Sequence, residues 1–244
     1  MTPSFVSTPT GAKIATYTKP GEGSVFVVGG MSGHPISASP LAEALERATA
    51  RCTMMDIASS GESRHGETFT METWLRDIEH VFERGGGGAP AIWVGSSIGA
   101  WLMLLLHRRH PTWFTAMCGL APALDWDTEY IAPGLRSGAL AVNGPLIMRD
   151  GDPIAPGPLI ASMAAHHLLG TAMPLACPLH VIVGGRDDIA PADPVRRFLK
   201  ATTGARCTAE FFADADHGLA KLAIPAARRR FEVWLAANGP TTSL

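Results

Sequence analysis

Along this chain, short apolar runs of strand length alternate with longer segments whose apolar residues recur at helical spacing. Ser24-Val25-Phe26-Val27-Val28 is a buried-strand run that ends in Gly29-Gly30. Residues 40–50 carry helical spacing, with Pro40 at a favoured first position. Residues 52–57 predict another strand, and residues 69–82 an amphipathic helix stopped by the glycines of 85–88. Ala91-Ile92-Trp93-Val94 predicts a strand and residues 100–107 a buried helix. Further strands are expected at 115–120, 180–183 and 209–212. Helices are expected at 194–202 and 219–238, the last closed by Gly239-Pro240. Strands alternating with helices predict an α/β chain with a mostly parallel central sheet covered on both faces. Residues 121–178 break the rhythm: they are rich in Pro, Gly and Ala, and their helices read as short. A long insertion between two core strands is expected to act as a lid or cap over a binding site.

The junction between the 91–94 strand and the helix after it carries the most chemistry. It reads Gly95-Ser96-Ser97-Ile98-Gly99, the G-x-S-x-G pattern in which a serine sits on a sharp strand-to-helix turn. The glycines are spaced around Ser97, so Ser97 is the expected nucleophile and Ser96 the weaker candidate. Serine needs a base, and the base needs an orienting carboxylate. Where this elbow occurs, the chain order is Ser, acid, His. Asp187 follows the 180–183 strand within Gly184-Gly185-Arg186-Asp187-Asp188, and His217 follows the last strand within Asp214-Ala215-Asp216-His217-Gly218. Asp187 is the expected acid, with Asp188 beside it as the alternative. His217 is the expected base. A metal site of His217 with Asp214 and Asp216 lacks further ligands at matching spacing, so none is expected. An oxyanion needs backbone N–H donors. Ile98, at a helix start, and Met31, in the glycine loop after the 24–28 strand, are the candidates. Gly30, Ser32, His34 and His166 are candidate substrate contacts; His166-His167 reads as part of a helix in the insertion.

Composition narrows the setting without changing that reading. The 244 residues suit one domain, residues 1–244, with a substantial core. Hydrophobic residues at 46% and charged residues at 17% fit a globular protein, and a net charge of -2 gives no reason to expect nucleic acid. Cys52, Cys118, Cys177 and Cys207 are widely spaced and read as buried free thiols. The first residues, Met1-Thr2-Pro3-Ser4-Phe5-Val6-Ser7, do not read as a signal peptide, which makes the cytoplasm the expected compartment. The most apolar stretch, 89–107, is interrupted by Gly95-Ser96-Ser97, so no membrane span is expected.

With these residues in place, the chain resembles the α/β-hydrolases. Within them it is similar to the branch of the mitochondrial palmitoyl-protein thioesterase, also described as mycophenolic acid acyl-glucuronide esterase. The likeness runs from Gly29-Gly30 to the C-terminal helix. It is carried by Val94-Gly95-Ser96-Ser97-Ile98-Gly99-Ala100-Trp101-Leu102-Met103-Leu104, by His166-His167 leading through Cys177-Pro178 to Gly185-Arg186-Asp187-Asp188-Ile189-Ala190-Pro191, and by Asp216-His217. It implies an α/β-hydrolase fold, with 121–178 as a lid-like insertion between the sixth and seventh strands. It also implies Ser97 as nucleophile, Asp187 as acid, His217 as base, and Met31 and Ile98 as oxyanion donors. The chain departs from the family at Gly29-Gly30, where His-Gly is common, and around residues 133–158. The expected activity is cleavage of a small-molecule carboxylic ester or thioester, with no cofactor. The alternatives are acyl transfer, lactone formation or a lyase reaction on the same three residues, or non-catalytic ligand binding. The sequence leaves the oligomeric state open.

Overall fold

The computed structural model describes residues 1–66, 69–85 and 88–239. Gly86 and Gly87 of the expected glycine stop, and Pro240 of the expected C-terminal stop, lie outside the described residues. Among those described, eight strands form one sheet. They are β1 (Ser4–Ser7), β2 (Lys13–Lys19), β3 (Glu22–Val28), β4 (Ala50–Met55), β5 (Ala91–Ser96), β6 (Phe114–Leu120), β7 (Leu179–Gly184) and β8 (Cys207–Phe212). Their spatial order is β1-β2-β4-β3-β5-β6-β7-β8. β2 runs antiparallel to both its neighbours, and β3 to β8 pair in parallel. This is the mostly parallel α/β-hydrolase sheet.

Among the described residues, seven α-helices accompany it: α1 (Pro40–Glu46), α2 (Met71–Gly85), α3 (Ile98–Arg109), α4 (Ala132–Ser137), α5 (Gly157–Met163), α6 (Ala192–Ala201) and α7 (Pro225–Asn238). α2 shows how the pattern becomes packing. Its buried Met71, Trp74, Leu75, Ile78, Val81 and Phe82 recur at three- and four-residue spacing and form one stripe. That stripe and the almost wholly apolar α3 cover one face of the sheet, around Phe26 and Trp93. α1 and α7 contribute Leu41, Leu45, Phe231 and Leu235 to the other face. Four of the seven helices have proline at their first positions or immediately after a capping residue in extended conformation; in α1, Ser39 also accepts the Ala42 N–H.

Several boundaries differ from expectation. β1 and β2 lie ahead of the first expected strand; β1 is largely exposed and has no apolar run to signal it. The helix expected to reach residue 50 stops at Glu46, because Ala50 is already paired with Glu22 across the sheet. The C-terminal helix begins at Pro225 instead of 219. His217–Lys221 is a separate 3-10 turn, closed by Leu222 in the left-handed region at φ 55. His166 ends another 3-10 turn, Ala164–His166, and His167 is its extended cap.

The insertion, residues 121–178, leaves the sheet after β6 and returns at β7. It holds α4, α5 and a three-stranded antiparallel sheet of Ala141–Asn143, Leu146–Arg149 and Asp152–Pro156. Asp125, buried and at φ 45, accepts the N–H groups of Leu168 (2.8 Å) and Leu169 (2.9 Å), tying the two ends of the insertion together. Among the described residues, no helix is long and apolar enough to cross a membrane.

Candidate active site

β5 runs fully buried into Ser96, and Ser97 then takes φ 54, ψ -121 before α3 starts at Ile98. A non-glycine residue held in that region costs on the order of 1–3 kcal/mol, so its surroundings must fix it. The Ser97 N–H donates to the Leu120 carbonyl (2.8 Å), and the Ser97 carbonyl accepts from Ala100 (3.0 Å) and Ala123 (3.2 Å). The turn also depends on missing side chains. A Cβ on Gly99 would lie 2.4 Å from the Val28 carbonyl oxygen, and one on Gly95 would lie 2.4 Å from the Ala100 Cα. These are the close approaches that the elbow's small residues allow.

The other candidates stand at the same carboxyl edge of the sheet. Ser97 Oγ lies 3.0 Å from His217 Nε2, and His217 Nδ1 lies 2.8 Å from Asp187 Oδ2. The second Asp187 oxygen accepts the N–H groups of Ile189 (3.0 Å) and Ala190 (2.7 Å). The Asp187 side chain is 0% exposed, whereas that of Asp188 is 65% exposed. Asp188 instead pairs with Arg149 of the insertion at 2.8 Å, and the hydrogen bond from that guanidinium holds its carboxyl below the usual range. Ser96 is buried and donates to the Ala220 carbonyl (2.7 Å). Asp214 pairs with Arg186, and Asp216 accepts the Gly218 N–H.

Gly30 passes so close to the elbow that a Cβ there would lie 2.9 Å from the Ser97 Cβ. Among the described residues, neither the Met31 nor the Ile98 N–H donates to a protein acceptor. Ile98 is the first residue of α3, where an N–H has no partner inside the helix. Gly30, Met31, Ser32 and His34 line a small cavity together with Ser97. Lys221, not anticipated from the sequence, also lines it and donates to Ser32 Oγ at 2.9 Å. His166 is the exception. Its ring lies 3.9 Å from Glu72, outside the lining of these two cavities, and burial lowers its pKa. The turn that carries it is held from the other side, where Trp101 donates to its carbonyl (3.1 Å).

Met31 and Ser32 also wall a larger cavity of about 760 Å³ between the sheet edge and the insertion. Phe69, Trp126, Leu146, Ile154 and Ile189 make it mostly apolar, and Tyr130 and Arg149 are among its polar groups. The sequence did not mark these residues, because they meet only through the folded insertion. Trp126 fixes the wall to the loop that carries Asp187 by donating to the Ile189 carbonyl (3.0 Å).

A parallel sheet of this order, with a strained serine elbow at its carboxyl edge, defines an α/β-hydrolase. More particularly, the Hydrolase_4 family, described as serine aminopeptidase, S33, matches residues 19–149, and the chain belongs to that family. Among curated relatives it is similar to the mitochondrial palmitoyl-protein thioesterase ABHD10. It is 30% identical to the mouse protein over 129 residues, covering 50% of this chain and 43% of that protein. It is 28% identical to the human protein over 148 residues, covering 57% and 48%. The matched part thus spans about half the length of these relatives. The solved alpha/beta hydrolase domain-containing protein 10 from mouse superposes with a TM-score of 0.79 at 21% identity, covering 97% of this chain and 98% of that one. Est1E from Butyrivibrio proteoclasticus, solved with ferulic acid, gives 0.74 at 16% identity, covering 96% and 98%. At these identities the structural likeness speaks for the fold. The family model and the fold together place the chain among the α/β-hydrolases.

Proposed function

We propose that this hydrolase cleaves carboxylic esters or thioesters through an acyl-enzyme on Ser97. The observation that carries this reading is the unbroken hydrogen-bonded series from Ser97 through His217 to the buried Asp187. His217 Nε2 takes the Ser97 proton as Oγ attacks the acyl carbon. Asp187 accepts from Nδ1, which fixes the imidazole and stabilises its cation. The Met31 and Ile98 N–H groups receive the oxyanion of the tetrahedral intermediate. His217 then protonates the departing alcohol or thiol. Water attacks the acyl-enzyme with His217 again as base, returning Ser97 to its starting form. No step requires a metal or organic cofactor. The apolar cavity beside Met31 suits the acyl half of the substrate, and residues 121–178 serve as its lid. The thioesterase name of the curated relatives supports the thioester arm.

The test is covalent. A fluorophosphonate probe should label the native protein and leave Ser97→Ala unlabelled. That variant should fold normally yet lose several orders of magnitude in hydrolysis of 4-nitrophenyl esters. A labelled Ser97→Ala protein with native turnover would remove the nucleophile from this reading. Product analysis with an added alcohol separates hydrolysis from acyl transfer. Cell fractionation decides between the cytoplasm and the mitochondrion of the relatives' names.

A further inference from the structure

The buried carboxylate of Asp56 is not part of the triad, yet the loop beside Ser97 hangs on it. Asp56 follows β4 directly and is 2% exposed. Its Oδ1 accepts the Ile36 N–H (2.8 Å), and its Oδ2 accepts the Tyr17 hydroxyl (2.9 Å) and the Glu62 N–H (3.2 Å). All three partners donate, so the site demands a pure acceptor, which an ionised carboxylate is and an amide is not. Burial pushes the carboxyl's pKa up, and these hydrogen bonds oppose that shift.

The loop from Gly29 to Ile36 is tied at three points to the 55–61 segment, in addition to the bond from Lys221 to Ser32 Oγ. Gly29 N–H donates to the Met55 carbonyl (3.0 Å). The Ser32 carbonyl accepts the Gly61 N–H (2.8 Å), and the Ser32 N–H points to Ser60 Oγ (3.4 Å). Ile36 N–H reaches Asp56 itself. Met31 lies between the first two points. Asp56 fixes the third point directly and shapes the second. Gly61, at φ 52, packs against its carboxylate so tightly that a Cβ there would meet Oδ2 at 2.2 Å.

We infer that Asp56 is a positioning residue for the oxyanion site: through Ile36 and the 60–62 turn it sets where the Met31 N–H points. The inference rests on the esterase reading above. Its consequence is specific to the transition state, because a misplaced oxyanion donor weakens binding of the tetrahedral species and leaves ground-state binding alone.

The experiment compares the native protein with Asp56→Asn and Tyr17→Phe. It measures kcat and KM for a 4-nitrophenyl ester, the inhibition constant of a trifluoromethyl ketone of the same acyl chain, and the melting temperature. For Asp56→Asn the expectation is a fall in kcat of about thirtyfold at nearly constant KM, with trifluoromethyl ketone affinity falling in parallel. Loss of a whole oxyanion donor, about 100–1000-fold, is the ceiling. Tyr17→Phe removes one partner of Oδ2 and should show the same pattern at about threefold. It carries the test alone if Asp56→Asn does not fold. A lowered melting temperature with native kcat and native ketone affinity in the folded variants makes Asp56 purely structural and overturns the inference. So does a rise in KM at constant kcat. Absence of any ester hydrolysis and of any Ser97 adduct in the native protein sinks the esterase reading itself, a result distinguishable from either of these.

Discussion

Two adjacent aspartates, identical in chemistry, are given different surroundings by one peptide step. Asp187 is buried, with one oxygen on His217 and the other on two backbone N–H groups, while Asp188 faces solvent and Arg149. Asp187→Asn should therefore cost about ten-thousandfold in kcat, as expected when an imidazole loses the partner that sets its tautomer. Asp188→Asn should cost less than about tenfold, since an exposed ion pair contributes little. Steady-state kinetics of the two variants on one ester checks the ranking, and the reverse order would move the acid by one position. The sequence made the triad candidates legible because each follows a strand end, where chain order and local pattern suffice. It could not reveal Asp56, whose partners Tyr17, Ile36 and Glu62 come from separate parts of the chain. Nor could it show that His166 turns to Glu72, because that direction is set by the packing of the insertion against α2.

At the level of elements, strong periodicity was readable and edge structure was not. α2 announced itself through its apolar stripe, and β5 and β7 through unbroken apolar runs. β1 and the three-stranded sheet of the insertion did not: β1 and Ala141–Asn143 are largely exposed, and the apolar run Leu146-Ile147-Met148 is too short to stand out. That small sheet nevertheless supplies Leu146, Arg149 and Ile154 to the large cavity. Arg149 bridges the sheet to the loop of Asp187 and Asp188, bonding Asp188 at 2.8 Å and Tyr130 Oη at 3.0 Å. Breaking that bridge with Arg149→Gln should loosen the cavity wall and leave the triad intact. KM for esters of long acyl chains should rise severalfold at nearly constant kcat, the signature of lost uniform binding. The melting temperature should hardly move. A fall in kcat at unchanged KM would show instead that the bridge acts on the acid's loop.

Across the whole molecule, buried histidines away from the candidate site tie stability to pH. Burial lowers the pKa of His107 and of His180, where the nearby Glu210 opposes the effect. His107 on α3 makes the sign clear. Its Nε2 accepts the Ala176 N–H (3.2 Å), and among the described residues its buried Nδ1 has no partner. A proton on Nε2 would set donor against donor, so the fold holds the neutral ring. The unfolded chain binds protons on these rings from about pH 6.5 downward, while the folded chain resists them. Their contribution to stability is therefore present above about pH 6.5 and lost as pH falls through the lowered folded values. The buried carboxylates Asp56, Asp77 and Asp125 act in the opposite sense, since burial raises their pKa and the fold takes up their protons first. A single substitution separates the two contributions. His107→Gln keeps an acceptor for the Ala176 N–H and removes the titration, so its melting temperature should fall less than the native protein's between about pH 7.5 and about pH 5.5. Calorimetry at both pH values reads the difference directly. Equal falls in the two proteins would mean that His107 titrates alike folded and unfolded, and that the ring is not held neutral by its place between α3 and the insertion.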